Sequence, residues 1–228
     1  MCFHHTTGKR LATRPVRRKV YYVDMDERTK LITEWLGAGS INVFGVPFAG
    51  KDTQGKILAD HLGALLVAGG DILRSHTDQA ELERIMATGD LIPSDLYLKI
   101  MVAYLSDPQF AGKPLVLSAV GRLQGEEVTV MKATADAGHP IKAVVLLRLS
   151  EEEVWKRFDA AKELNDRGER GDDSRTALAN RLEKFRTLTQ PVIERYRELG
   201  LLVEVDGSLS REAVNEEIIK NIATFAFK

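Results

Sequence analysis

Residues Asn42 to Lys56 read NVFGVPFAGKDTQGK, and the reading of this stretch decides the fold. Gly45, Gly50 and Lys51 stand in G-x-x-x-x-G-K order, the spacing of a phosphate-binding loop. Directly before the loop, INVFG (Ile41–Gly45) is a short apolar, β-prone run, and a helix is predicted from about Asp52 to Leu62 behind it. Strand, glycine loop and helix are the order that this motif needs. Loop N–H groups and the helix N-terminus point at phosphate oxygens, while the Lys51 ammonium can bridge β- and γ-phosphates. The alternative is a strand-to-helix turn that merely contains glycines. Asp52 is the anomaly. A standard loop has Ser or Thr after the lysine, whose hydroxyl reaches Mg2+; here a carboxylate stands there.

Outward from the loop, apolar runs alternate with helical periodicity. ALLVA (Ala64–Ala68), PLVLSAV (Pro114–Val120), KAVVLLRL (Lys142–Leu149) and LLVEVDG (Leu201–Gly207) read as further buried strands. DERTKLITEWLG (Asp26–Gly37) places Leu31, Ile32, Trp35 and Leu36 at helical spacing and stops at glycine. Gly69-Gly70-Asp71 opens another helical region. ELERIMATGDLIPSDLYLKIMVAYL gives two helices broken at Gly89 and restarted at Pro93. Gly125–Ala137 is amphipathic, and a last helix runs from Ser210 to the end. Apolar strands alternating with helices predict the α/β class, a three-layer sandwich around a central parallel sheet. Only KELNDRGERGDDSR (Lys162–Arg175) interrupts the rhythm, and it reads as a mobile loop.

A chain of 228 residues is long enough for one sizeable domain. Hydrophobic content of 44% and charged content of 29% are ordinary for a globular protein. A net charge of −1 gives no field favouring nucleic acid or membrane, and neither is expected as a partner. No apolar run approaches the roughly 20 residues of a membrane helix. The single cysteine, Cys2, can form no internal disulfide and cannot build a Cys-rich zinc site. That fits a reducing, cytoplasmic setting. Residues 1–25 form a basic segment, with Lys9, Arg10, Arg14, Arg17, Arg18 and Lys19 and no acid before Asp24. It lacks the apolar region of a secretory signal; a flexible tail, an over-early start codon and an organelle transit peptide are the readings.

Five motifs in order tie the chain to a family. GVPFAGKDTQ resembles the GxPGAGKGTQ loop of adenylate kinases and related nucleoside monophosphate kinases. GGDILR (Gly69–Arg74) resembles their STGDLLR, and MATGDLIP (Met86–Pro93) their mdkGeLVP. LSAVGRLQGEE is similar to LDGFPRtxxQaE, and RGDDSRTALANRLEKFRTLTQPVIERYRELGLLVEVDG to their RxDD…RLxxYxxxTxPLIxYYxxxGllxxIdG. The resemblance spans roughly Ile41 to the C-terminus. It implies a kinase domain over 26–228, with an acceptor-binding insertion at about 70–99 and a short lid at about 159–173. The implied reaction moves the γ-phosphoryl of ATP, with Mg2+ and no zinc, to a nucleoside monophosphate, AMP by default. Another small acceptor and a non-catalytic nucleotide-binding module are the alternatives. Short-lid members imply a monomer.

The resemblance also distributes roles. Gly45, Ala49, Gly50, Lys51, Asp52, Thr53 and Arg157 would hold ATP, Arg157 against the adenine. Gly70, Arg74, Met86, Ile92, Arg122 and Gln124 would hold the acceptor. Lys51, Arg122, Arg170 and Arg181, with Arg167, would neutralise the migrating phosphoryl group, since guanidinium forks grip phosphate oxygens. Asp172 and Asp173 match the lid aspartates that orient water on Mg2+ or pin the closed lid, and they could equally cap the helix near Ser174. Three departures matter. Phe48 replaces a loop glycine, Gly69 replaces a threonine that contacts the acceptor base, and Ser118 replaces an aspartate that organises hydrated Mg2+. Asp52, Thr53 and Ser118 are therefore the expected metal-side residues. Asp52 would supply the carboxylate that position 118 lacks, or else cap its own helix.

Overall fold

The computed structural model describes residues 24–76, 78, 80, 82, 92–164 and 174–228. The basic segment through residue 23, and with it Met86, Gly89, Arg167, Arg170, Asp172 and Asp173, lies outside the described residues.

The short apolar runs become strands, and the central ones bury both faces. Five strands, β1 (Ser40–Gly45), β2 (Leu65–Ala68), β3 (Leu115–Ser118), β4 (Ile141–Arg148) and β5 (Leu202–Asp206), form one sheet in the order β2-β3-β1-β4-β5. Every pairing is parallel. Side chains alternate along a strand. Ile41, Val43, Val145 and Leu147 therefore enter one core, while Phe44, Val144 and Leu146 enter another on the opposite face. The first face is covered by α1 (Met25–Leu36), α2 (Lys51–Leu62) and α9 (Arg211–Ala226), through residues such as Ile32, Leu58, Ile218 and Ile222. The second is covered by α4 (Ser94–Leu105), α5 (Glu126–Asp136) and α8 (Gln190–Glu198), through Tyr97, Met101, Val130, Val192 and Tyr196. This is the expected three-layer sandwich. A short helix, α3 (Gly69–Arg74), follows β2 directly.

The chain leaves β1 toward the β2 side and leaves β4 toward β5, so the direction of winding reverses between β1 and β4. In open α/β sheets ligands bind outside the carboxyl ends of the strands at such a reversal, and Lys51 begins α2 at that edge.

The polar stretch Lys162–Arg175 is not one loop. Helix α6 spans Glu151–Leu164 and so contains Lys162, and Arg175 opens α7 (Arg175–Lys184). Both ends continue runs of good helix formers, which outweigh the local polarity. Ser174 caps α7 by accepting from the Ala177 N–H; the capping expected of Asp172 and Asp173 lies outside the described residues. Between α7 and α8 the chain makes a π-helical turn over Phe185–Thr189, just before Pro191. Proline offers no N–H to an α-helical ladder, and a widened turn absorbs that loss.

Candidate active site

The glycine loop is built as its spacing predicts. Gly45 ends β1 beside Leu147 of β4, Ala49 is buried behind the loop, and Gly50 (φ 84°) turns the chain into α2. Lys51 and Thr53 lie in the first turn of that helix, Thr53 exposed. Phe48 has φ 65° although it is not glycine. The loop thus retains the left-handed turn at that position. The ring compensates by packing edge-on against Phe158 of α6, with centroids 5.6 Å apart.

Asp52 does not stand alone. Its Oδ1 accepts a hydrogen bond from Ser118 Oγ at 2.6 Å, and its Oδ2 lies 3.4 Å from the Lys51 ammonium. Ser118 is the last residue of β3 and is registered against Val43 of β1. Two of the positions singled out in the sequence are thus in direct contact. The carboxylate is tied to the sheet edge, yet its side chain is 75% exposed.

The segment after β3 is bent by two left-handed residues, Ala119 (φ 48°) and Gly121 (φ 69°). A Cβ on Gly121 would fall 2.3 Å from Val130 Cγ2, so no larger residue fits there without moving α5. Asn42, buried in β1, holds the bend from below. Its Nδ2 donates to the Val120 carbonyl at 2.8 Å, and its Oδ1 accepts from the Val120 N–H at 3.3 Å. Arg122 follows, exposed, with its carbonyl accepting from Thr189 Oγ1 at 2.8 Å. Gln124 is exposed in the turn entering α5. Below that turn, burial pushes the Glu126 carboxyl above its usual range, against the pull of the Leu123 N–H and the Arg122 charge. Burial likewise raises Tyr97, with Glu126 adding to the effect.

Other expected residues divide into groups. Arg74, exposed, pairs with Asp71 at 2.5 Å and lies over Gly70, where a Cβ would meet its Nη1 at 2.9 Å. Ile92 packs against the α4–α5 core. Arg157 donates to the carbonyls of Phe48 at 3.3 Å and Gly207 at 2.8 Å, and pairs with Glu153 at 3.2 Å. It therefore joins α6 to both the glycine loop and the turn after β5. Arg181 is exposed on α7. Helices α6 and α7 are joined by Arg175, which bonds Asp159 at 2.7 Å and lies 4.8 Å from the centre of the Trp155 ring.

Three positioning residues escaped the sequence reading: Asn42, Thr189 and Gln54. Buried Gln54 donates to the Arg211 carbonyl at 2.8 Å and fixes α2 against α9. Asn42 did leave a signal, a lone amide in an otherwise apolar strand, and Thr189 and Gln54 stand at matched positions of the quoted motifs, from which no role was read. Among the described residues no group of three or more His, Cys, Asp or Glu forms a metal cluster. The donors beside the loop are instead oxygens of Asp52, Thr53 and Ser118. Such a set suits Mg2+, which takes few protein ligands and keeps most of its waters. Among the described residues no helix is long and apolar enough to cross a membrane.

Comparison with known proteins agrees with this geometry. A family model described as adenylate kinase matches residues 43–201. The adenylate kinase of Nocardia farcinica is 31% identical over 183 residues, covering 78% of this chain and 96% of the relative. That of Synechococcus sp. strain CC9311 is 34% identical over 179 residues, covering 76% and 93%. That of Thermus thermophilus is 34% identical over 169 residues, covering 72% and 86%.

Proposed function

The chain belongs to the adenylate kinase family, and from that premise we propose that it transfers the γ-phosphoryl group of ATP to AMP, giving two ADP. The family membership makes it an ATP-dependent nucleoside monophosphate kinase; AMP as the acceptor, and the residue roles, are our reading. The observation that carries it is the glycine loop with Lys51 at the carboxyl edge of a parallel sheet, beside the bend that presents Arg122.

Phosphoryl transfer asks little covalent chemistry of the protein; it needs alignment and charge neutralisation. In this proposal Gly45, Ala49, Gly50, Lys51 and Thr53 hold the ATP phosphates. Arg157 leaves its carbonyl partners to lie against the adenine. Gly70, Arg74, Met86, Ile92 and Gln124 line the acceptor site, and Arg122 grips the acceptor phosphate. Arg170 and Arg181, with Arg167, close over the migrating group, excluding water and limiting wasteful hydrolysis. The acceptor phosphate is already an anion at neutral pH, so no general base is required. Mg2+, when bound, neutralises phosphate charge and orients the leaving oxygen. Asp52, Thr53 and Ser118 would face it, largely through water. The proposal takes the enzyme to be a cytoplasmic monomer, for which the support is the single cysteine and the short lid.

The test is a panel of monophosphates with ATP and Mg2+, reading ADP formation by chromatography. AMP should be the best acceptor, and Lys51→Ala should lower turnover about 10²–10³-fold, the scale of losing one charge-stabilising group. Gly69 stands where a base-reading side chain is expected, so faster turnover with CMP or UMP would reassign the acceptor. No transfer to any monophosphate would refute the kinase reading.

A further inference from the structure

We propose that the cavity bounded by β4, α6, α7 and α8 is a second binding site, for an uncharged heteroaromatic compound of nucleobase or nucleoside size. The cavity measures about 560 Å3, within the range of about 300–1,000 Å3 of small-molecule sites. None of the described residues assigned above to ATP, the acceptor or Mg2+ lines it. Its floor is apolar. Leu147, Val154 and Leu182 are buried there, and Leu149 and Phe185 are partly buried. The Phe185 ring gives a flat ligand a stacking partner.

The rim decides the chemistry of the ligand. Arg148 and Arg197 both pair with Glu204, at 3.4 and 2.9 Å. Arg186 pairs with Glu183 at 2.8 Å and lies 3.9 Å from Glu151. Each rim arginine already has a carboxylate, which a phosphate would have to displace, so the site does not suit a nucleotide. The pairs still offer guanidinium N–H groups and carboxylate lone pairs at their outer edges. A base edge with adjacent donors matches the carboxylate, and one with adjacent acceptors matches the guanidinium; guanine carries both. The position of the cavity gives occupancy a consequence. Val46 on its wall directly follows Gly45 of the glycine loop, and α6 and α7 share the apolar cluster that holds Phe48. Phe185 opens the π-helical turn, a rare element frequent at functional sites, and Thr189 of that turn donates to the Arg122 carbonyl. On the kinase reading α6 and α7 shift as the lid closes. A ring held between them and β4 opposes that shift and slows turnover from outside the nucleotide sites.

The experiment titrates guanosine into the isotope-labelled full chain without nucleotide and follows the backbone amide resonances. Saturable shifts should appear at Val46, Leu149, Val154, Leu182 and Phe185. Glu204→Gln, at a side chain 34% exposed, should weaken the apparent affinity about tenfold while the amides of β1 and β3 stay in place. Phe185→Leu, which removes the ring and keeps an apolar side chain, should weaken it as well. In assays with ATP, AMP and Mg2+, guanosine should lower kcat and leave both KM values unchanged. The absence of saturable shifts, shifts centred on Arg74 and Arg122, or wild-type affinity in both variants overturns the inference and leaves the kinase reading standing. A rise in either KM places guanosine in a nucleotide site and overturns it too. A chain that forms no ADP without guanosine refutes the kinase reading instead, and the resonance shifts then decide the cavity on their own.

Discussion

At the scale of single residues, the site depends on groups that touch no substrate. Asn42 spends both ends of its amide on the Val120 backbone, and so sets the bend from which Arg122 emerges. Its replacement by Ala leaves a buried N–H and a buried carbonyl unmatched, at a cost of about 1–3 kcal/mol for each such group. Asn42→Ala should therefore lower the denaturant midpoint and raise KM for the acceptor more than KM for ATP. Equal effects on both constants would show that the bend does not control the acceptor side. The amide stood out as a polar interruption of INVFG, but its partner was not legible. Seventy-eight residues separate Asn42 from Val120, and no periodicity extends that far.

At the scale of elements, the glycine loop and helices α6 and α7 form one packing unit. Phe48 joins Val154, Phe158, Leu178 and Leu182 of α6 and α7 in a small apolar cluster. A non-glycine residue at positive φ costs of order 1–3 kcal/mol, and the Phe48 ring offsets this by its partial burial and its contact with Phe158. Phe48→Gly separates the two effects. It relieves the backbone and removes the ring, whose aromatic pairing alone contributes about 0.5–1.5 kcal/mol. Amide exchange in α6 should accelerate in this variant while exchange in the central strands stays unchanged. Uniform acceleration would mean that the ring serves global stability only. The sequence marked Phe48 as a departure. That its ring reaches α6 was decided by the fold, because Phe48 and Phe158 belong to elements that meet only when the sheet is assembled.

At the scale of the whole molecule, stability carries a pH signature from the first residue of α5, Glu126. The Glu126 carboxyl is raised above its ordinary value of 4.5, first by burial. The folded state therefore holds this proton more tightly than the unfolded state does. Its contribution to stability is greatest below 4.5, where both states are protonated, and declines as pH rises through the folded value. Glu126→Gln removes the burial of charge while keeping an acceptor for the Leu123 N–H. The melting temperature of the variant should gain on wild type as pH rises above 4.5 and then level off. A constant offset would place the effect elsewhere.

The amino-acid sequence by itself determined the alternation of strands and helices, the glycine loop with Lys51, and the family's order of motifs. All of these are local patterns, set by side-chain periodicity and by turn residues a few positions apart. It also exposed two oddities, a carboxylate at Asp52 and a hydroxyl at Ser118. Only the tertiary structure decided that they meet. Parallel pairing of β1 with β3 registers Val43 against Ser118, which brings the end of β3 beside the first turn of α2. That register follows from burying both faces of the central strands at once, a condition that no single segment of the chain contains.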